Sequence, residues 1–253
     1  MNDSPEYLKR KKFFDSLITL FGRNVVIEIL QDESIGIHKL HLADSNQEDG
    51  DIKTIRDLAK KRGIEIKMWD KKGLSRISKS AKQDQGVAID IIAPNYKNVE
   101  DILSTYPDGF RLMALDGIEN PQNLGMIIRS CAAGNIDGII LPRDGGAKVS
   151  PLVVKASAGT LFKIDIFFCK TMVKTLDELE VAGAKINMLS SHTRQNLFDY
   201  EHKEREVFVL GNESTGVSSE VEMMCTNRLR IEMKRDVESL NVAVTAGIIA
   251  FLP

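Results

Sequence analysis

From Phe110 onward, short unbroken apolar runs alternate with helical stretches, and this alternation limits the fold more than any other feature of the chain. Strands are predicted at Phe110 to Leu115, Gly138 to Leu141, Lys163 to Phe168, Lys185 to Leu189, Val207 to Leu210 and Arg228 to Glu232. Helices are predicted near 122–134, 150–157, 171–182, 217–224 and 240–251. A strand that is apolar on both faces must be covered on both, and a helix between strands returns the chain to begin the next one in the same direction. The expected class is α/β, with a mostly parallel sheet over 110–253 and ligand-binding loops beyond the carboxyl ends of its strands.

The part before Phe110 is smaller. Residues 5–21 read as an amphipathic helix ended by Gly22, so 1–22 form a helical extension. A helix near 24–31, a strand at Ile37 to Leu42, a helix at Ile52 to Arg62 and strands at Ile64 to Met68 and Gln85 to Ile92 make 23–94 a compact α/β unit. Residues 95–109, with Pro107-Asp-Gly and a short helix around Val99 to Tyr106, read as a linker.

Charge excludes little. Lys plus Arg number 34 against 36 for Asp plus Glu among 253 residues, so basic groups that meet a polyanion must be local. Lys9-Arg-Lys-Lys12 is the nearest thing to a patch, and a solvated helix end explains it as well as RNA contact does. Cys131, Cys169 and Cys225 are far apart with no C-x-x-C, which suits buried thiols in a reducing compartment. His38 and His41 have no further ligand nearby, so no metal site is expected. With no signal-peptide core and no apolar run of about 18 residues, the expectation is a cytoplasmic enzyme.

Three segments stand at strand ends in the second half. Asn120-Pro-Gln-Asn-Leu-Gly125 leaves a strand and enters a helix, with Pro121 suited to its first turn. Asn123 and Arg129 on that helix fall roughly 120° apart, able to share a cleft edge without touching; a capping Asn and a surface ion-pairing Arg explain them equally. Gly211-Asn-Glu-Ser-Thr-Gly216 also joins strand to helix, and its glycines allow a tight turn with free amide donors. Glu213 sits mid-loop, where it can orient an arginine or a ribose, although a plain capping turn reads the same way. Ser239-Leu-Asn241 precedes a helix of small and apolar residues from Val242 to Ala250, buried either within one subunit or against a second. No dinucleotide G-x-G-x-x-G, phosphate-loop, H-E-x-x-H or G-x-S-x-G motif is present.

In this order and spacing the three segments resemble the motifs of the SpoU/TrmH family of RNA ribose 2′-O-methyltransferases, over residues 110–251. Lys155-Ala-Ser-Ala-Gly-Thr160 resembles the family's small-residue helix end. The first unit resembles, more loosely, the substrate-binding domain many members carry, through Gly22-Arg-Asn-Val-Val-Ile-Glu28 and Gln85-Gly-Val-Ala88; Asp84 stands where members often have His. The resemblance implies a deep trefoil knot of the SPOUT type in the C-terminal domain, a homodimer and S-adenosyl-L-methionine as cofactor. It implies catalytic roles for Asn123, Arg129, Glu213, Ser239 and Asn241, and a cofactor pocket lined by Gly211, Ile231 and Leu240 with Leu189, Leu210 and Met233 beside them. It nominates Arg129 for the hydroxyl proton, yet a guanidinium is a poor base, so clamping a phosphate is the preferred role. The implied substrate is RNA, ribosomal rather than transfer RNA, read as a single-stranded loop. Arg143, Lys148 and Lys155 are candidates to grip it. A transfer-RNA ribose 2′-O-methyltransferase and an RNA-binding or assembly protein of the same fold without activity are the rival readings.

Overall fold

The structure is a computed structural model that describes residues 17–33, 35–48, 50–79, 83–92, 95–190 and 193–253. It divides into two units, one up to residue 94 and one from residue 95. Lys9 to Lys12, and most of the helix expected at 5–21, lie outside the described residues.

The first unit is a four-stranded sheet: β1 (Leu17–Phe21), β2 (Gly36–Ala43), β3 (Ile66–Trp69) and β4 (Val87–Ile92), in the order β1-β4-β2-β3. β4 runs antiparallel to β1 and β2, and β3 runs parallel to β2. Helices α1 (Arg23–Gln31), α2 (Gly50–Lys61) and α3 (Lys71–Ser78) connect them. Leu17–Phe21, expected as the end of a helix, is thus a strand. Its burial alternates residue by residue, with Ile18 and Leu20 inside, which is the period of a half-buried strand. Leu20, Leu40, Leu42, Ile89 and Ile91 are buried in the unit's core, and α3 sets Leu74 against Ala43 and Ala88.

The second unit is a seven-stranded sheet in which every pairing is parallel. Its strands are β5 (Tyr96–Asn98), β6 (Phe110–Leu115), β7 (Gly138–Pro142), β8 (Asp165–Cys169), β9 (Lys185–Leu189), β10 (Arg205–Leu210) and β11 (Asn227–Leu229). The order is β11-β9-β10-β6-β7-β8-β5, so the direction of progression reverses between β6 and β10. Loops leaving strands at such a reversal diverge and open a crevice. The helices are α4 (Ile102–Thr105), α5 (Pro121–Ala133), α6 (Pro151–Ala156), α7 (Met172–Val181), α8 (Ser219–Glu222) and α9 (Val242–Ala250). Residues 95–109, expected as a linker, carry β5 and α4. Tyr96, half-buried, packs edge-on against Phe168, and Asn95 Nδ2 donates to the Leu161 and Ile164 carbonyls at 2.7 and 2.6 Å. A segment so tied to the sheet is part of the domain.

α5 lies between two close neighbours. A Cβ on Gly125 would meet Ala156 and the Val153 carbonyl of α6, so only glycine permits that approach. On the other side α5 crosses α9, where Gly247 faces Ser130. Two runs of small residues thereby bring the first and third motif helices together.

Candidate active site

Motif one begins where β6 ends. Asp116 N–H donates to the Leu210 carbonyl at 2.8 Å, and the Asp116 carboxylate accepts from Ser218 N–H at 2.8 Å, which ties the β6 and β10 loops together. Asn120 caps α5 by accepting from the N–H groups of Gln122 (2.8 Å) and Asn123 (3.4 Å). The β10 loop closes on itself: Asn212 and Gly216 exchange two main-chain bonds of 2.9 Å. The Asn212 side chain accepts from Ser214 and Thr215 and donates to the Gly117 carbonyl at 2.8 Å. A Cβ on Gly211 would collide with the main chain of Gly216 and Val217, so the tight closure requires glycine there. Asn241 caps α9 through Ala243 N–H at 2.8 Å.

These loops present one continuous line of side chains. Asn241 Nδ2 donates to Asn123 Oδ1 at 3.2 Å, and Asn123 Nδ2 donates to Glu213 Oε1 at 2.7 Å. Asn123 is buried, at 7% exposure, between two exposed partners. Partial burial pushes the Glu213 carboxyl up. The bond from Asn123 and the N–H groups of Glu213, Glu119 and Asn120 outweigh this and hold it below the usual carboxylate range. Glu213 is therefore an anion with a fixed orientation at neutral pH.

Two hollows flank the 211–216 loop. One, of about 610 Å³, is bordered by Asn120, Asn123, Glu213 and Asn241. The other, of about 550 Å³, is lined by Leu189, Leu210, Gly211, Ile231, Met233 and Leu240, with Glu238, Ser239 and Thr215 among its polar groups. The six residues expected around a cofactor thus share one cavity. The five expected catalytic residues divide: Asn123, Glu213 and Asn241 join, Ser239 belongs to the second hollow, and Arg129 borders neither. Arg129 is exposed, two turns along α5, with no ion pair or hydrogen bond among the described residues. The expected sharing of a cleft by Asn123 and Arg129 within one chain is therefore corrected: the 120° between them carries Arg129 out to solvent beside Met126.

Arg143, Lys148 and Lys155 are exposed but line neither hollow; Arg143 donates to Asn98 Oδ1 at 2.7 Å and stacks over Phe168. The thiols are inert, since burial pushes Cys131 and Cys225 up to about 12 and Cys169 to about 11. Among the described residues no group of three or more His, Cys, Asp and Glu is placed to hold a metal ion. No described helix is long and apolar enough to cross a membrane. Asp116, Asn120 and Asn212, which hold the loops in place, were not picked out from the sequence. Their signal was an Asn or Asp directly after a strand or before a helix, the usual place of a turn-closing side chain.

Residues 19–97 match the family model for RNA 2'-O ribose methyltransferase substrate binding. A 23S rRNA (guanosine-2'-O-)-methyltransferase, RlmB, of Xanthomonas campestris pv. campestris is 25% identical over 92% of this chain and 94% of its own. The SpoU methyltransferase AviRb of Streptomyces viridochromogenes, solved with AdoMet, superposes with a TM-score of 0.67 at 20% identity, over 98% of this chain and 91% of its own. An AdoMet-bound rRNA methyltransferase of Sinorhizobium meliloti gives 0.65 at 23% identity, over 96% and 88%. Residues 110–251, more than half of the chain, match the SpoU rRNA Methylase family, and the protein belongs to that family of RNA methyltransferases.

Proposed function

We propose that this RNA methyltransferase transfers a methyl group from S-adenosylmethionine to a ribose 2′-hydroxyl of ribosomal RNA. The observation that carries the reading is the line Asn241, Asn123, Glu213, which joins all three motifs beside the hollow lined by Leu210, Gly211 and Leu240. That hollow fits the cofactor. Leu189, Leu210, Ile231, Met233 and Leu240 offer apolar walls to an adenine, and Ser239, Glu238 and the main chain at Gly211 offer polar partners to a ribose and amino acid. Bound there, S-adenosylmethionine would supply a methyl group on a sulfonium leaving group, which calls for neither a metal nor a covalent enzyme intermediate.

The residues on the other side of the 211–216 loop then have to hold the RNA. Glu213, kept ionised, accepts a hydrogen bond from the ribose and fixes its orientation, and Asn123 fixes Glu213. Arg129 contributes a charge that stabilises the phosphate next to the reacting hydroxyl. Its place beside Met126 supports action at a subunit boundary. Met126 (41%), Val244 (52%) and Phe251 (64%) leave apolar surface exposed on α5 and at α9, and we assign this surface to a homodimer. We further assign the knot to the second unit. From β11 at the sheet edge the chain returns to α9, and Arg230 exchanges main-chain bonds with Gln195 and Leu197 of the β9–β10 connection, the segment to be threaded. Residues 17–94 serve as the RNA substrate-binding domain and 95–253, which hold the match at 110–251, as the methyl-transfer domain, supported by the two family models. The rRNA assignment rests on the RlmB likeness, which covers both units.

The test is transfer of labelled methyl from S-adenosylmethionine to total rRNA and, separately, total tRNA from cells lacking the gene, followed by nucleoside analysis. A 2′-O-methylated nucleoside from the rRNA pool is expected. Label in tRNA alone would overturn the substrate, and cofactor binding without transfer to either pool would favour a non-catalytic RNA-binding role.

A further inference from the structure

The first unit contains a polar pocket of about 620 Å³ at the edge where β1, β2 and β3 end and β4 begins. Its size falls in the range of small-ligand sites, about 300–1,000 Å³. We propose that it receives one unstacked base of the RNA substrate, so that the first unit reads a nucleotide other than the one methylated; this rests on the assignment of RNA as substrate.

The pocket is built at a cost. Gln85 (φ 53°) and Gly86 (φ 77°) are consecutive left-handed residues, and a non-glycine residue there costs about 1 kcal/mol or more. Four neighbours brace the turn. Asp84, 7% exposed, accepts from Ser78 Oγ at 2.9 Å and Gly86 N–H at 3.0 Å. Asn46 Nδ2 donates to the Gly86 carbonyl at 2.8 Å, and Gln85 Oε1 accepts from Arg23 N–H at 3.0 Å. These partners hold the strained turn in one conformation, so the polar groups around it keep a fixed arrangement.

The lining decides the ligand. Asn24 and Ser45 have side chains with no partner among the described residues, and Gln85 keeps its amide hydrogens: these are donors and acceptors suited to a base edge. Ala43 and Leu74 give an apolar floor. Asp51 and Asp84 put two carboxylates in the same lining, which repels a phosphate from the interior but leaves an uncharged base acceptable. Arg23 and the exposed Lys71 supply the positive charge that the flanking phosphates need. An uncharged planar group between charged linkers is what a splayed single-stranded nucleotide offers.

The chain's single tryptophan, Trp69, packs behind the floor against Ala43 and Leu74 and serves as a reporter. The full-length protein is titrated with a mixed-sequence single-stranded RNA nonamer while Trp69 emission and filter binding are followed, and methyl transfer to rRNA is measured in parallel. Ser45→Tyr, which fills the pocket, and Lys71→Ala, which removes a charge from its lining, are expected to weaken nonamer binding about tenfold. They should raise KM for rRNA by a similar factor and leave kcat and cofactor affinity unchanged. Both residues are exposed, and an unchanged melting curve certifies the fold. If the wild type changes Trp69 emission and both variants bind as it does, the pocket proposal falls. If binding depends on the pocket while no methyl reaches any RNA, the pocket stands and the methyl-transfer reading falls.

Discussion

In the second unit all seven strands run the same way, whereas in the first β4 runs against β1, β2 and β3, and each hollow follows from that difference. A parallel sheet sends every carboxyl end to one edge, so Asn123, Glu213 and Asn241 meet from loops 90 and 118 residues apart. In the first unit the pocket needs the incoming end of the reversed strand, residues 84–86, to close it. The reversal also leaves polar groups inside the sheet. Asp90 accepts from Thr19 Oγ1 at 2.6 Å and pairs with His41 Nε2 at 2.9 Å. Trp69 Nε1 donates to His41 Nδ1 at 2.9 Å, which places the imidazole hydrogen on the Nε2 side. The second unit's deepest charge, Glu206, is instead at the amino end of β10, held by Arg111 and His202 away from the motif loops.

The comparison breaks most sharply at Arg129. Arg129→Ala is expected to abolish turnover while cofactor affinity, melting temperature and nonamer binding stay near wild type; near-normal methylation would remove Arg129 from the mechanism. Arg111→Ala comes next. It strips the closest cation from fully buried Glu206 and removes a donor from the main-chain oxygens of Leu252, which Asn135 Nδ2 still holds, and Pro253, at a cost of about 3–5 kcal/mol. Hydrogen exchange should then accelerate in β6, β10 and α9 and not in β1 to β4. An equal loss in both units would mean that they do not differ in where their charge is anchored.

Gly211→Ala should cost about 1–3 kcal/mol through the clash with Gly216 and Val217, and weaken cofactor binding about tenfold by calorimetry. The smallest effects are titrations. Burial raises the Asp90 carboxyl, but the hydrogen bonds from His41 and Thr19 outweigh it, so its folded value lies below 3.8. A depressed carboxylate stabilises the fold above its unfolded value, and that contribution fades as pH falls through the folded one. The stability difference between wild type and Asp90→Asn should therefore be full near neutrality and shrink only below about pH 4. Carbon NMR should place the Glu213 midpoint below 4.5 in the wild type and move it upward in Asn123→Ala.

The parallel sheet was legible because its strands are apolar on both faces; the cofactor-lining residues came only from the family resemblance, since Ile231, Met233 and Leu240 stand in a connection that no strand or helix pattern singles out. β1 was not. Leu17, Ile18 and Leu20 continue an apolar spacing begun by Phe13 and Phe14, and only pairing with β4 turns that string into an alternation. Tyr96–Asn98 is three residues long and starts two residues after Pro94, too short to signal a strand until β8 accepts it. The direction of Arg129 was calculable from helix geometry. Whether it entered a cleft depended on where the neighbouring loops stood, which no spacing within one helix contains.

The Asn123 amide has a polarity: its oxygen faces the third motif and its nitrogen the second. Glu213 thus takes up its depressed titration through a side chain whose other end is satisfied only when residue 241 is in place. Without the final helix, Asn123 Oδ1 loses the donor that Asn241 supplies, and the Glu213 carboxylate keeps its main-chain donors but not a fixed Asn123. In refolding, methyl transfer is expected to recover with the slowest-protected amides of α9 and not with the formation of the sheet.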